Sequence, residues 1–263
     1  MTDAQDKPSK PVIEMSGVGI GSSRLPNEIQ VRDVNWSVQA GDFWVLAAMQ
    51  GGGKSDFLLT TAGLIAPKTG EYRMFGERMP IYEEHRLHLR LRLGLVFEDA
   101  RLFNQLTVAE NVVLPLRYHH NRNPDEVRDK VMAMLEMLEL LPWAGNTPGT
   151  MPWSWQKRAA LARALALEPE ILLLDNPLSG LDPRHTFWWL DFLSRASAGK
   201  AGLGHRPLTL VVTADDLNPW KRRAHQFAVI KEGGLKLLGT RQQLEASADE
   251  LAKQFLANPA TAH

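Results

Sequence analysis

The chain of 263 residues contains no cysteine. Disulfide staples, thiolate zinc centres and cysteine nucleophiles are thereby excluded, and a reducing compartment is compatible with that count. No charge of either sign is in excess, since 30 Lys+Arg balance 30 Asp+Glu. Neither a basic nucleic-acid surface nor an acidic solvating tail is indicated. Long hydrophobic runs are also missing. Ile171–Leu174 and Leu208–Val212 are strand-sized, well short of the roughly 20 apolar residues of a spanning helix. The polar start, MTDAQDKPSKPVIEM, lacks the apolar stretch of a signal peptide. A soluble, cytoplasmic chain is expected, with any membrane role peripheral. Tyrosine is scarce at 3, but tryptophan is not: its 8 residues are about twice the usual share.

What is present reads as strands alternating with helices. Val12–Ile20, Ile29–Val38, Phe43–Ala48, Glu71–Phe75 and Leu93–Phe97 have the composition of strands. Thr107 and Glu110 have the Thr-x-x-Glu form of a capping box, so a helix should start there. Pro124 to Leu141 spaces Val127, Val131, Met134, Leu135 and Leu138 by threes and fours, as a helix does. A further helix is expected from Gln156 to Leu167, and another opened by Asp182-Pro183. Ile171–Asp175, Thr209–Thr213, Gln226–Lys231 and Leu235–Leu238 complete the strands, before a helical tail from about Arg241 to Leu256. The alternation predicts an α/β fold with a mostly parallel core sheet. Residues 1–10 and 259–263 read as tails around one domain, 11–258, with a helical subdomain at about 100–167.

A short apolar strand leads into Ala48-Met49-Gln50-Gly51-Gly52-Gly53-Lys54-Ser55 and then a helix. This is nearly the phosphate-loop pattern. Its glycines let backbone N–H groups converge on phosphate oxygens at the positive end of a helix. Lys54 would pair with the β- and γ-phosphates, and the Ser55 hydroxyl would ligate Mg²⁺. Ala48 stands where the first glycine belongs. Asp56 stands where many such loops carry a second hydroxyl, and it repels phosphate unless it caps the helix.

Ile171-Leu-Leu-Leu-Asp175-Asn176-Pro177 followed by Leu178-Ser179-Gly180-Leu181-Asp182-Pro183 resembles the Walker B strand and D-loop of ATP-binding cassette (ABC) ATPases. Counting back from Asp175 at that family's spacing, the signature loop falls on Met151-Pro152-Trp153-Ser154-Trp155, and the helix from Gln156 to Glu170 matches the one that follows. Leu93–Asp99, Thr107–Pro115 and Val211–Asp215 match the Q-loop strand, the start of the helical region and the H-loop strand. The resemblance spans about Val12 to Leu256. It implies the P-loop NTPase fold of ABC ATPases, with an antiparallel β subdomain beside the parallel sheet. Segments such as Val96–Phe103, Val113–Arg117 and Lys253–Leu256 look closest to Mla/Mce-type lipid transporters.

The resemblance implies a cytoplasmic, peripheral subunit that binds ATP and Mg²⁺. Its partners would be an integral-membrane permease and a second ATPase subunit, the same or different, with no nucleic acid. Gln50, Gly51, Gly52, Gly53, Lys54, Ser55 and Asp56 would bind nucleotide. Ser55, Asp175 and Glu98 would hold Mg²⁺, and Ser179, Gly180, Leu181 and Asp182 would form the D-loop. The catalytic parts are altered. Asn176 replaces the glutamate that polarises water, and an amide accepts no proton in a useful pH range, a loss typically of about 10²–10⁴-fold. Ala214 replaces the H-loop histidine, and Glu98 the Q-loop glutamine. Pro152, Trp153, Ser154 and Trp155 make the signature loop degenerate, with a bulky apolar surface in place of a phosphate lid. The loop Gly21–Leu25 offers no aromatic to stack on adenine, and Trp36 reads as strand core. Weak or absent hydrolysis follows; the alternative is a nucleotide-independent pseudo-ATPase acting as scaffold or regulator. His85 and His88, Glu83-Glu84 and Asp215-Asp216 read as solvated surface groups, and Trp188-Trp189 as helix core with one ring free to face a partner.

Overall fold

The computed structural model describes residues 10–25, 27–79, 84–120, 124–204 and 206–246, together with Lys253 and Phe255. The expected tails and Glu83 lie outside the described residues, Lys10 excepted. In chain order the elements are β1 Ile13–Gly21, β2 Ile29–Val38, β3 Phe43–Ala48, α1 Lys54–Thr61, β4 Thr69–Met74, β5 Glu77–Arg78, α2 Leu87–Arg90 and β6 Leu93–Val96. There follow α3 Val108–His120, α4 Pro124–Met137, α5 Trp153–Leu165, β7 Ile171–Leu174, α6 Pro183–Ser197, β8 Thr209–Ala214, β9 Gln226–Lys231, β10 Gly234–Thr240 and α7 Arg241–Ala246. Beyond α7, Lys253 and Phe255 are helical; the rest of the expected helical tail lies outside the described residues.

Among the described residues the strands form one sheet in the order β5-β4-β1-β2-β10-β9-β3-β8-β7-β6. The stretch β9-β3-β8-β7-β6 is parallel. Its strands read as continuous apolar runs because helices or other strands cover both faces. Every residue of β3, β7 and β8 is buried. Alternation sorts β3 between two cores. Phe43, Val45 and Ala47 pack with Leu161, Leu174 and Trp189, whereas Trp44, Leu46 and Ala48 pack with Trp36 and Phe57. The second core lies under β1, β2 and β4, which pair antiparallel.

Local signals account for the helix starts. Thr107 N donates to Glu110 Oε2 at 2.7 Å and Glu110 N donates to Thr107 Oγ1 at 3.2 Å, the reciprocal pair of a capping box. Asp182 Oδ1 accepts from Arg184 N and His185 N at 2.9 and 3.0 Å, with Pro183 in the first turn. One start differs from expectation. α5 begins at Trp153, not Gln156, so Trp153, Ser154 and Trp155 form a helical turn and not a loop. Pro152 precedes it with φ −57° and ψ 147°, and its carbonyl accepts from Trp155 N and Gln156 N. Proline's fixed φ and missing donor suit a helix entrance.

That early start aims Lys157 at the turn after β7. Its Nζ donates to the carbonyls of Asn176, Pro177 and Ser179 at 3.1, 3.2 and 2.8 Å. The turn therefore carries its buried acceptors on one ammonium. Burial pulls Lys157 down to about 8, against the opposing pull of Glu98 and Asp175.

Two outcomes follow. Leu161→Ala, in the centre of the larger core and fully buried, should cost roughly 2–5 kcal/mol in urea denaturation with an unchanged m-value. Lys157→Met should cost about 1–3 kcal/mol at neutral pH, because the Pro177 and Ser179 carbonyls lose this donor and Asn176 O keeps only its bond from Ser179 N. Between the folded value of about 8 and an unfolded value of roughly 10.4, the unfolded chain binds more protons, so the Lys157 contribution rises with pH. The stability gap between wild type and Lys157→Met should widen across that window; a narrowing gap contradicts this linkage.

Candidate functional site

The carboxyl ends of β3, β6, β7 and β8 lie side by side. Val96 pairs with Leu174, Leu174 with Val212, and Ala47 with Ala214. The residues that follow those strands therefore meet at one edge, where open parallel sheets take their ligands. They are the loop 49–53, Glu98, Asp175-Asn176 and Asp215.

The glycine loop closes tightly on itself. Gly52 N donates to Met49 O at 2.9 Å, and a Cβ on Gly52 would stand 2.9 Å from that same oxygen. Gly53 has φ 88° and lies so close to Gln30 that a Cβ would meet its Cγ at 2.7 Å. Both positions need glycine. Ala48 does fit the first-glycine place: it is fully buried, and its carbonyl accepts from Lys54 Nζ at 2.7 Å. Gln50 is exposed, and Gln30 Nε2 donates to Gly51 O at 2.9 Å.

Asp175 joins three segments. Its Oδ2 accepts from Ser55 Oγ at 2.6 Å and its Oδ1 from Thr213 Oγ1 at 2.8 Å, while Thr213 Oγ1 accepts from Asn176 N at 3.1 Å. Burial pushes the Asp175 carboxyl above its ordinary value, against the two hydroxyl bonds. Ser55, Glu98 and Asp175 line one cavity of about 230 Å³ with Leu58, Phe97 and Arg101. These are hard oxygen donors of the kind Mg²⁺ accepts when phosphate and water complete its shell. Among the described residues no cluster of three or more His, Asp or Glu has the geometry to hold a metal. His85 and His88 belong to no such cluster; His88 Nδ1 lies 2.9 Å from His85 O.

Several expectations need correction. Asp56 does not cap α1, which has no side-chain cap; its Oδ1 accepts from Ser23 N at 3.0 Å and ties down the loop 21–25. Asp215 is exposed, as expected, but it also pairs with Lys54 Nζ, and its Oδ2 accepts from Asn176 Nδ2 at 2.7 Å. The same amide nitrogen donates to Glu98 Oε1 at 3.0 Å. Asn176 sits at φ 41°, a left-handed value that asparagine tolerates. The expected apolar face at the signature position is also reduced. Trp155 turns inward, edge-on to His185 with centroids 5.2 Å apart and under the Arg158 guanidinium at 4.5 Å. Trp153 stays on the surface, 39% exposed, beside Gly180. Trp189 is fully buried, while Trp188 stacks on Phe192 and donates to Glu139 Oε1 at 3.1 Å. Trp36 is core, 5.7 Å from Trp44 between ring centroids. Ala214 is buried at the end of β8.

In the segment expected as the D-loop, Ser179 N donates to Asn176 O at 3.1 Å and Leu181 N to Leu178 O at 3.3 Å, with Gly180 at φ 69°. Asp182 is engaged in capping α6. Sequence reasoning missed Asp215 although it directly follows Ala214 in the H-loop match. Its proximity to Lys54, 161 positions away, is set by the β3–β8 pairing, and no local signal marks it.

The family model described as "ABC transporter" matches residues 31–179. The chain is 31% identical over 247 residues to a probable ribonucleotide transport ATP-binding protein of Mycobacterium leprae, covering 93% of this chain and 68% of that protein. It thus spans about two thirds of that relative's length. The intermembrane phospholipid transport system ATP-binding protein of Escherichia coli is 30% identical, covering 85% of this chain and 81% of its own. A dimeric ATP-binding cassette solved in a post-hydrolysis state with ADP and Pi superposes with a TM-score of 0.75 at 26% identity, covering 85% of this chain and 96% of that one. The fold, the motif order and these likenesses agree: the chain belongs to the ABC transporter ATP-binding family.

Proposed function

We propose that this chain is the nucleotide-holding subunit of an ABC transporter for lipid, binding Mg-ATP with weak or absent hydrolysis. One observation carries the reading. The cradle residues Gly51, Gly53, Lys54, Ser55 and Asp175 stand together, while the side chain at the proton-acceptor position, Asn176, is an amide whose nitrogen donates to two carboxylates. Bound there, Mg-ATP supplies an electrophilic γ-phosphorus. The protein's share of phosphoryl transfer is positioning and charge stabilisation. Ser55, Asp175 and Glu98 would face the metal, and Lys54 the phosphates. No group at position 176 takes a proton from water, and Ala214 offers no contact.

The lipid assignment is supported by the likeness to the phospholipid system protein; other relatives are named for ribonucleotide, methionine and sulfate transport. No helix among the described residues is long and apolar enough to cross a membrane. The reading seats the chain on a permease, peripheral at the cytoplasmic face, with the segment from Glu98 to Leu106, where Phe103 is half exposed, as the docking surface. A second ATPase subunit completes the assembly. A partner with an intact signature loop would cover Lys54, whereas Trp153 would occlude the partner's own phosphates. One observation favours a scaffold that needs no nucleotide: Lys54 and Ser55 already have partners within the chain.

Calorimetry with Mg-ATP separates the two. Binding is expected, weakened at least roughly tenfold in Lys54→Ala through loss of the phosphate-facing charge. No binding by the wild-type chain or by its Asp215 variants establishes the scaffold. Turnover should lie roughly 10²–10⁴-fold below that of glutamate-bearing relatives; ordinary turnover that Lys54→Ala abolishes would overturn the weak-hydrolysis reading.

A further inference from the structure

Lys54 is the phosphate-facing cation of the site, and its charge is already neutralised. Its side chain is 10% exposed, and its Nζ is shared between Ala48 O and the Asp215 carboxylate. In a phosphate loop the lysine reaches the β- and γ-phosphates. An oxyanion on that nitrogen therefore occupies the seat of a phosphate oxygen. Asp215 is not needed there to shape the backbone. The turn after β8 is held by the next residue, Asp216, whose Oδ1 accepts from Asn218 N at 2.8 Å and Asn218 Nδ2 at 3.1 Å. Asp215 itself is 59% exposed, so its pair with Lys54 is weak enough to exchange.

Asn176 makes the arrangement possible. Its amide nitrogen has two hydrogens, and it reaches Asp215 Oδ2 and Glu98 Oε1 together. A carboxylate at position 176 would repel both and push Asp215 off the lysine. The amide at the proton-acceptor position therefore also works as a post that holds an internal anion over Lys54.

We propose that Asp215 is an internal competitor for the polyphosphate seat and so sets the affinity of this site for a nucleoside triphosphate. The proposal rests on the nucleotide-binding reading above. Ligand entry is an exchange: the Lys54–Asp215 pair opens, the carboxylate moves to water, and a phosphate oxygen takes its place on Nζ. No covalent bond changes. Apparent affinity falls by the fraction of chains whose lysine is free.

The test is calorimetric titration of the full chain with Mg-ATP and, separately, with magnesium tripolyphosphate, which dispenses with any base contact. If the lysine is engaged about nine-tenths of the time, Asp215→Asn should bind both ligands roughly tenfold more tightly than wild type. Asp215→Ala should do the same, which guards against a new amide contact. Asn176→Gly keeps the left-handed backbone and removes the post. It should also tighten binding, and combining it with Asp215→Asn should add nothing further, because both act through one contact. Wild-type binding with equal or weaker binding by both Asp215 variants overturns the proposal and leaves the nucleotide reading standing. Absence of binding in wild type and in every variant overturns both. Binding by the Asp215 variants alone supports the proposal in its strongest form.

Discussion

The carboxylate of Asp175 is the joint on which the site depends. It collects the hydroxyl of Ser55 from the first turn of α1 and the hydroxyl of Thr213 from β8, and Thr213 in turn accepts the Asn176 amide N–H. Three elements distant in sequence are thus fixed to one buried anion. Burial costs such a group solvation, and the two hydroxyls return part of it as charge-assisted bonds. The parallel register makes this possible. β3, β8 and β7 end level with one another, so whatever follows each strand lands in the same place.

Around that joint the electrostatics are unusual for a phosphate site. Glu98, Asp175 and Asp215 all border it, and Lys54 meets one of them directly. The cluster is tolerable because an amide stands among the carboxylates and donates to two. An amide nitrogen donates where a carboxylate could only accept, so Asn176 holds two anions side by side. The zero net charge of the chain conceals this local accumulation.

The tryptophans show how far position governs consequence. Trp36, Trp189 and Trp220 are buried core residues, an ordinary use of large apolar rings. Trp155 and Trp188 sandwich the almost fully buried Arg158, at 4.5 and 3.7 Å from its guanidinium carbon, while Glu139 accepts from the same group at 2.8 Å. Burial lowers Arg158 and also holds His185 beside it below its ordinary value. Trp155 on α5 and Trp188 on α6 thus brace the two helices through Arg158. Trp153 alone remains on the surface at the signature position.

Much was legible in the sequence because its signals are local. The runs at 29–38, 43–48 and 226–231 are strands with those very bounds, and the caps at Thr107 and Asp182 announce their helices within three residues. The glycine loop could be named from its own pattern, since strand-loop-helix order is written locally, and Asp175 from the resemblance of the segment around it. The start of α5 was hidden, because Pro152 and Trp153 carry no capping hydroxyl or carboxylate. The role of Asp215 was hidden more deeply. Its meaning lies in a lysine brought to it by sheet pairing and an amide brought by the next strand. Sequence by itself determined the fold and the strand-loop-helix order around the glycine loop, and it placed an asparagine directly after Asp175. Only the tertiary structure decided which anion faces Lys54, because ion pairs depend on distance in space and strand order sets that distance.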